Sequence, residues 1–234
     1  MPTTAEGFIS RIDQLKGDLV AQGRRVQQLT EAAFEAMFEC SHEKARAVIN
    51  QDDAIDSVDV VIEKQAVLLL SDATRQGAEL EPQQLRAVLT IVKVNNELER
   101  SADVAVEIAQ RGESSPARPY PDTFRVMANS VIGILRDANT SMARSDPGLA
   151  NIVLQSQHAV SAFKDAVMRD AEAQLASGTI SPEFAFLLHE VASDCEIIAD
   201  HCTNIAEQVI YLTTGAIVRH GQTSWVEVGK SRSA

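Results

Sequence analysis

Apolar residues recur along this chain at the spacing of packed helices. Ile12, Leu19, Val26 and Ala33 fall seven apart, and Phe8, Leu15 and Leu29 join the same stripe. Residues so spaced share one helix face, the seam along which antiparallel helices pack. The pattern predicts a first helix from about Ala5 to Cys40. Ser41 then has N-cap chemistry, although Lys44 stands where a capping box places Glu. A second helix is expected from about His42 to Gln76, with Val58, Val61, Ile62, Leu68 and Leu69 on its apolar face and Gly77 as its stop. Pro82 suits the first turn of a third helix running to about Arg111.

Between Gly112 and Pro121 three prolines fall within six residues, the clearest linker in the chain. The plan then repeats. A fourth helix is expected from about Asp122 to Arg144, with a turn at Ser145 to Gly148 and Asp146 or Ser145 as cap. A fifth runs to about Leu175, stopped by Ser177 and Gly178. A sixth is capped by Ser181, opens on Pro182 and extends toward Val218. The reading is all-α: two pseudo-symmetric, antiparallel three-helix bundles at 1–112 and 122–220, a linker at 113–121 and a polar, frayed tail at 221–234. Trp225 and Val226 are the tail residues able to dock.

A gapless internal match supports the duplication. Residues 96–109 align with 193–206, pairing Glu99 with Glu196, Ala102 with Ala199, Asp103 with Asp200, Ile108 with Ile205 and Ala109 with Ala206. Self-similarity of this kind reports architecture before any motif does.

Composition narrows the function classes. Aromatics at 4% with 11 Gly and 7 Pro argue against an all-β fold. Acidic residues number 33 against 21 basic ones, a balance that repels phosphate backbones and disfavours direct nucleic-acid binding. The same excess suits hard cations wherever carboxylates converge. Cys40, Cys195 and Cys202 are odd in number and lack zinc spacing, which points to a reduced, cytoplasmic setting. Core packing is the expected role of Cys195 and Cys202, which share a helix face. No apolar window approaches the ~18 residues of a membrane span, and the N-terminus has no signal-peptide pattern. Membrane insertion is not expected.

The chemistry concentrates on carboxylates. Glu99 and Asp103 lie four apart, on one helix face with Cβ atoms roughly 5–6 Å apart, as do Glu196 and Asp200. Like charges at that spacing repel, and a cation between them removes the penalty. Asp52, Asp56, Asp59 and Glu63 form a second acidic stripe on the preceding helix. If the stripe faces Glu99 and Asp103, five or six carboxylates meet and require a divalent metal. The fifth helix offers Gln157, His158 and Ser161 in place of acids, with Asp165 as a substitute if the register shifts. The small Ala102 and Ala199 admit a close neighbouring helix. An acidic stripe is also the ordinary character of a solvated helix face, so the repetition in register carries the metal reading.

At these residues the chain resembles the PhoU family of phosphate-signalling regulators. Val94 to Asp103, VNNELERSAD, resembles that family's NNDLERIGD helix. Glu196 to Gly215, EIIADHCTNIAEQVIYLTTG, resembles its second motif, and the likeness extends through Arg219 and His220. The resemblance implies two three-helix bundles, metal held at E(D)xxxD motifs, and negative regulation that links a phosphate ABC transporter to a membrane sensor histidine kinase. It implies Glu99, Asp103, Glu196 and Asp200 as metal ligands, to which the acidic stripe adds Asp52 and Asp56; Fe, Zn, Mn or Mg are the candidate ions. A homodimer is expected. The chain departs from the family pattern at Ile197 for Arg, at Val104 for a frequent His, and at Ala102 and Ala199 for Gly.

Two other readings compete. One is a metal-free helical adaptor for another membrane transporter, its acids a charged docking face. The other is a di-iron oxidase, which needs two Glu-x-x-His pairs; only Glu39 and His42 have the spacing, at a predicted helix break. Asp200 and His201 are adjacent and point apart on a helix, which suits His201 to a surface or supporting place. No glycine-rich phosphate loop, nucleophile elbow or zinc-protease motif occurs, and no enzyme is expected.

Overall fold

The structure, a computed structural model, describes residues 5–114, 120–218 and 226–227. Its helices are α1 (Ala5–Phe38), α2 (His42–Ile49), α3 (Asp52–Arg75), α4 (Pro82–Ser114), α5 (Asp122–Arg144), α6 (Pro147–Ala176) and α7 (Pro182–Thr214). A two-residue strand β1 (Ala216–Ile217) pairs antiparallel with β2 (Val226–Glu227). The first repeat is α1, the broken α2–α3 rod and α4. The second is α5, α6 and α7.

Local chemistry sets most of the ends. The Ser41 side chain accepts from the Lys44 N–H at 3.3 Å, Asp146 from Gly148 and Leu149 at 2.9 and 3.1 Å, and Ser181 from Phe184 at 3.3 Å. Each satisfies a helix N–H that has no partner within its own helix. Gly77 and Gly178 take positive φ at the predicted stops. The chain reverses there through bonds such as Ala78 N–H to the Ala73 carbonyl at 3.0 Å. Cys40 and Ser145 adopt the same left-handed conformation without being glycine, both at φ 51°.

Two expectations need correction. The second predicted helix is two helices, broken at Asn50 and Gln51, where ψ of −13° and −15° shifts the bonding to Gln51 N–H→Val48 O at 3.0 Å. Asp52 and Asp53 then sit in a first turn, where the helix dipole favours acids. Val48 and Ile55, seven apart, are both buried, so the apolar phase runs unbroken across the break. The sixth predicted helix stops at Thr214 because Gly215 turns the chain at φ 75° into β1. Val226, one of the two tail residues able to dock, pairs with Ile217. Arg219, His220 and Trp225 lie outside the described residues.

α4 and α7 form the centre. α4 packs on α1 and α3, α7 packs on α5 and α6, and α4 packs on α7. Arg86 lies beside Gly215, Lys93 over Tyr211 at 5.9 Å, Glu97 against His201 and Asn204, and Arg111 against Asp194. Each step up α4 is matched by a step down α7, so the pair is antiparallel, and this register interpolates Ala102 opposite Ala199. Both alanines are fully buried. One apolar core runs through both repeats. Tyr120, in the predicted linker, is buried in it, stacked on Phe124 at 5.6 Å and tilted against Phe184 at 5.5 Å. Glu113, also assigned to the linker, lies in α4, and residues 115–119 fall outside the described set.

A carboxylate face on the first repeat as candidate metal centre

The break before Asp52 lets α3 lie along α4 with its acidic stripe toward Glu99 and Asp103. Asp52, Asp56 and Asp103 each bring a carboxylate oxygen within 4.8 Å of the other two. Glu99 faces the same stripe further along, near Asp59 and Asp56. Asn95 of α4 donates to the Asp59 carboxylate at 2.6 Å and to the Asp59 carbonyl at 3.1 Å, fixing the two helices in register.

The charges here oppose one another. Burial raises the Asp52 carboxyl above its ordinary value, and Asp56, Asp103 and Asp53 raise it further. Burial with Glu63 and Asp56 raises Asp59 against the Asn95 hydrogen bond. Glu99 is raised by burial, then by Asp103, Asp59 and Asp56. Asp103 is raised by burial, Asp56 and Glu107, with Arg100 and His201 pulling it back. Among the described residues none of these five carboxylates forms a salt bridge. Asp52 Oδ1 is buried without a hydrogen-bond partner. An all-oxygen donor set with oxygens this close fits one hard divalent ion, whose metal–oxygen bonds run from ~2.0 Å for Mg to ~2.6 Å for Ca.

The second repeat is built differently. Glu196 and Asp200 face α6, away from the α3 cluster. Ser161 Oγ donates to Glu196 Oε1 at 2.8 Å and Lys164 Nζ pairs with Glu196 Oε2 at 2.6 Å. Gln157 donates to Asp200 Oδ1. Burial raises Glu196, but the hydrogen bonds from Lys164 and Ser161 and the Lys164 charge outweigh it and hold the carboxyl below its ordinary value. The packing register presents Lys164, not Asp165, to the carboxylates; Asp165 is exposed.

Between the repeats lies a polar seam that sequence reasoning missed. His201 is 7% exposed, not a surface residue, and its Nδ1 lies 2.7 Å from Glu97 Oε2. Asn204 donates to the same oxygen at 3.0 Å. Burial raises Glu97, but His201 and Asn204 together bring it below its ordinary value. Arg111 Nε donates to Asp194 at 3.0 Å and also pairs with Glu107 and Glu190. The signal was available: the gapless repeat alignment matches Glu97 with Asp194, and each reaches across to the other repeat.

Comparison with known proteins agrees with this architecture. Two solved structures, of the phosphate transport system regulatory protein PhoU from Streptococcus pneumoniae and of PhoU from Pseudomonas aeruginosa, superpose with TM-scores of 0.82 each. They are 21% and 24% identical and cover 91% and 89% of this chain and 99% of their own chains. Similar chains include PhoU homolog 1 of Thermotoga maritima, 27% identical over 89% of both chains. The Aquifex aeolicus homolog is 29% identical over 91% of this chain and 96% of its own. The PhoU domain model matches twice, at residues 19–112 and 124–209, once on each three-helix repeat, and by that double match the chain belongs to the PhoU family.

Proposed function

We propose that this protein is a non-catalytic accessory regulator of phosphate transport, binding a divalent ion on its first repeat and docking on membrane partners. The observation that carries the regulatory reading is the family match on both repeats, together with relatives named phosphate-specific transport system accessory proteins. Under this reading the partners are a phosphate ABC transporter and a membrane sensor histidine kinase, and the protein restrains uptake and phosphate-starvation signalling from the cytoplasmic side as a homodimer. No described helix is long and apolar enough to cross a membrane, so contact with membrane proteins is by docking.

The metal reading is supported by the convergence of Asp52, Asp56 and Asp103 beside Glu99. A bound ion there neutralises opposed charge and ties α3 to α4. The docking reading is supported by the outward face of α3, where Val60, Val61, Val67 and Leu68 are 39–60% exposed on one side of the helix. Apolar ridges of this kind serve helix-on-helix recognition. Tagged protein retaining its native circular dichroism is used to capture partners from detergent-solubilised membranes in high-phosphate cells. Recovery of the phosphate transporter, reduced by Val60→Asp with Val67→Asp, is the expected result. Recovery of neither transporter nor kinase would sink the regulatory assignment.

A further inference from the structure

Glu99 and Glu196 occupy equivalent places in the two repeats, as do Asp103 and Asp200, so the molecule contains its own comparison. In the first repeat the helix packed opposite presents Asp52, Asp56 and Asp59, and among the described residues the carboxylates have no cationic partner within salt-bridge distance. In the second it presents Gln157, Ser161 and Lys164. Both oxygens of Glu196 are engaged there, by Ser161 at 2.8 Å and Lys164 at 2.6 Å, and Asp200 is held by Gln157. We propose that Lys164 is a tethered cation occupying the place an ion would take in the second repeat, and that this half of the protein therefore binds no divalent metal.

Three physical arguments support this. An ammonium supplies positive charge and up to three donors at no cost in association entropy, because the chain already holds it beside Glu196. A divalent ion entering the site would displace that ammonium from its carboxylate and leave two cations side by side, a repulsion amplified by the partial burial of the Lys164 side chain at 23% exposure. Without Lys164, only two carboxylates remain, one turn apart on α7, against three with mutually close oxygens in the first repeat. Exclusion of metal from the second repeat does not depend on whether the first repeat takes an ion.

The test uses the full chain carrying Asp56→Asn and Asp103→Asn, which disables the first-repeat cluster. Mn2+ is the probe, read as metal retained after desalting and as the change in Tm. With Lys164 intact, adding Glu196→Gln is expected to change neither readout. Lys164→Glu in the same background is expected to tighten Mn2+ binding by roughly tenfold or more. That gain should disappear when Glu196→Gln is added. Lys164→Gln, which introduces no new acid, guards against misfolding of the Glu variant and is expected to show a smaller Mn2+-dependent rise in Tm. Retention of Mn2+ by the Lys164-intact protein that Glu196→Gln removes would overturn the proposal. So would the absence of any Mn2+ effect in both folded Lys164 variants. Loss of all Mn2+ binding from the unmutated chain would instead strike the first-repeat metal reading and leave this one standing.

Discussion

Asp194 shows how much the environment of one residue decides. It lies almost wholly buried in the seam between the repeats, 4% exposed, and burial pushes its carboxyl up to about 6 while Arg111 opposes and Glu107 and Glu190 add to the rise. A carboxyl whose folded pKa exceeds its unfolded value of about 3.9 contributes stability that is complete below about pH 4 and lost as pH rises through about 6. Asp194→Asn keeps the shape and removes the titration. Urea unfolding of the two proteins should therefore show the variant gaining about 1–2 kcal/mol on the parent between about pH 4 and 7.5; a difference that does not move with pH would contradict it. The thiols show the same principle in another group. Cys195 and Cys202 are fully buried, and burial with the charge of nearby acids drives both far above the ordinary thiol range. Native protein should react with a small disulfide reagent at the half-buried Cys40 alone, and at all three cysteines once unfolded in urea. Fast reaction of a second thiol in the native state would show that the core opens.

At the scale of elements, what was legible is what short-range chemistry determines. Ser41, Gly77, Asp146, Ser181 and Pro182 fix helix ends because a side chain or a positive φ acts within four residues of itself. The break at Asn50 and Gln51 was hidden because Val48 and Ile55 keep the apolar phase, and the docking of Tyr120 was hidden because its partners Phe38, Phe124 and Phe184 come from three separate helices. The small Ala102 and Ala199 marked one close helix approach in the sequence, but others were hidden. Gly112 is one: a Cβ there would sit 3.0 Å from the Met37 Cα, where α4 meets the end of α1. Backbone cannot yield as a side chain does, so Gly112→Ala is expected to cost about 1–3 kcal/mol. Gly17, in the interior of α1, has nothing within 4 Å of its Cβ position, and Gly17→Ala should stabilise by about 0.5–1 kcal/mol through helix propensity alone. Thermal or urea unfolding of the two variants checks both signs. If both alanines prove equal, the close packing at Gly112 is not real.

For the whole molecule, the duplicated plan was legible and its asymmetry was not. Spacing put Asp52 and Asp56 on one face of α3 and Glu99 and Asp103 on one face of α4, because residues three and four apart share a face whatever surrounds them, but it left open whether the two faces meet. Which residue of α6 meets Glu196 depends on how two helices interlock, and Lys164 lies one position from the acid that spacing suggested. The first repeat is left with carboxylate charge that no salt bridge among the described residues offsets, at a cost that depends on pH. Asp52, Asp59, Glu99 and Asp103 all have raised carboxyls, burial being the first cause of each. Groups raised on folding stabilise the protein most below their unfolded pKa values, and that contribution is lost as pH rises through their folded values. In the presence of a chelator, Tm should therefore fall as pH climbs out of the carboxylate range toward neutrality. Metal binding carries the opposite slope, since ligating carboxylates must be deprotonated and a bound ion stabilises the folded state. The gap in Tm between samples with Mn2+ and with chelator should widen from about pH 5 to 7.5. Asp56→Asn with Glu99→Gln should flatten the chelator curve and close the gap together, because one set of opposed charges is responsible for both. A gap that stays constant with pH, or survives that double variant, would mean that the ion binds elsewhere and that the acidic face of α3 and α4 is only solvated charge.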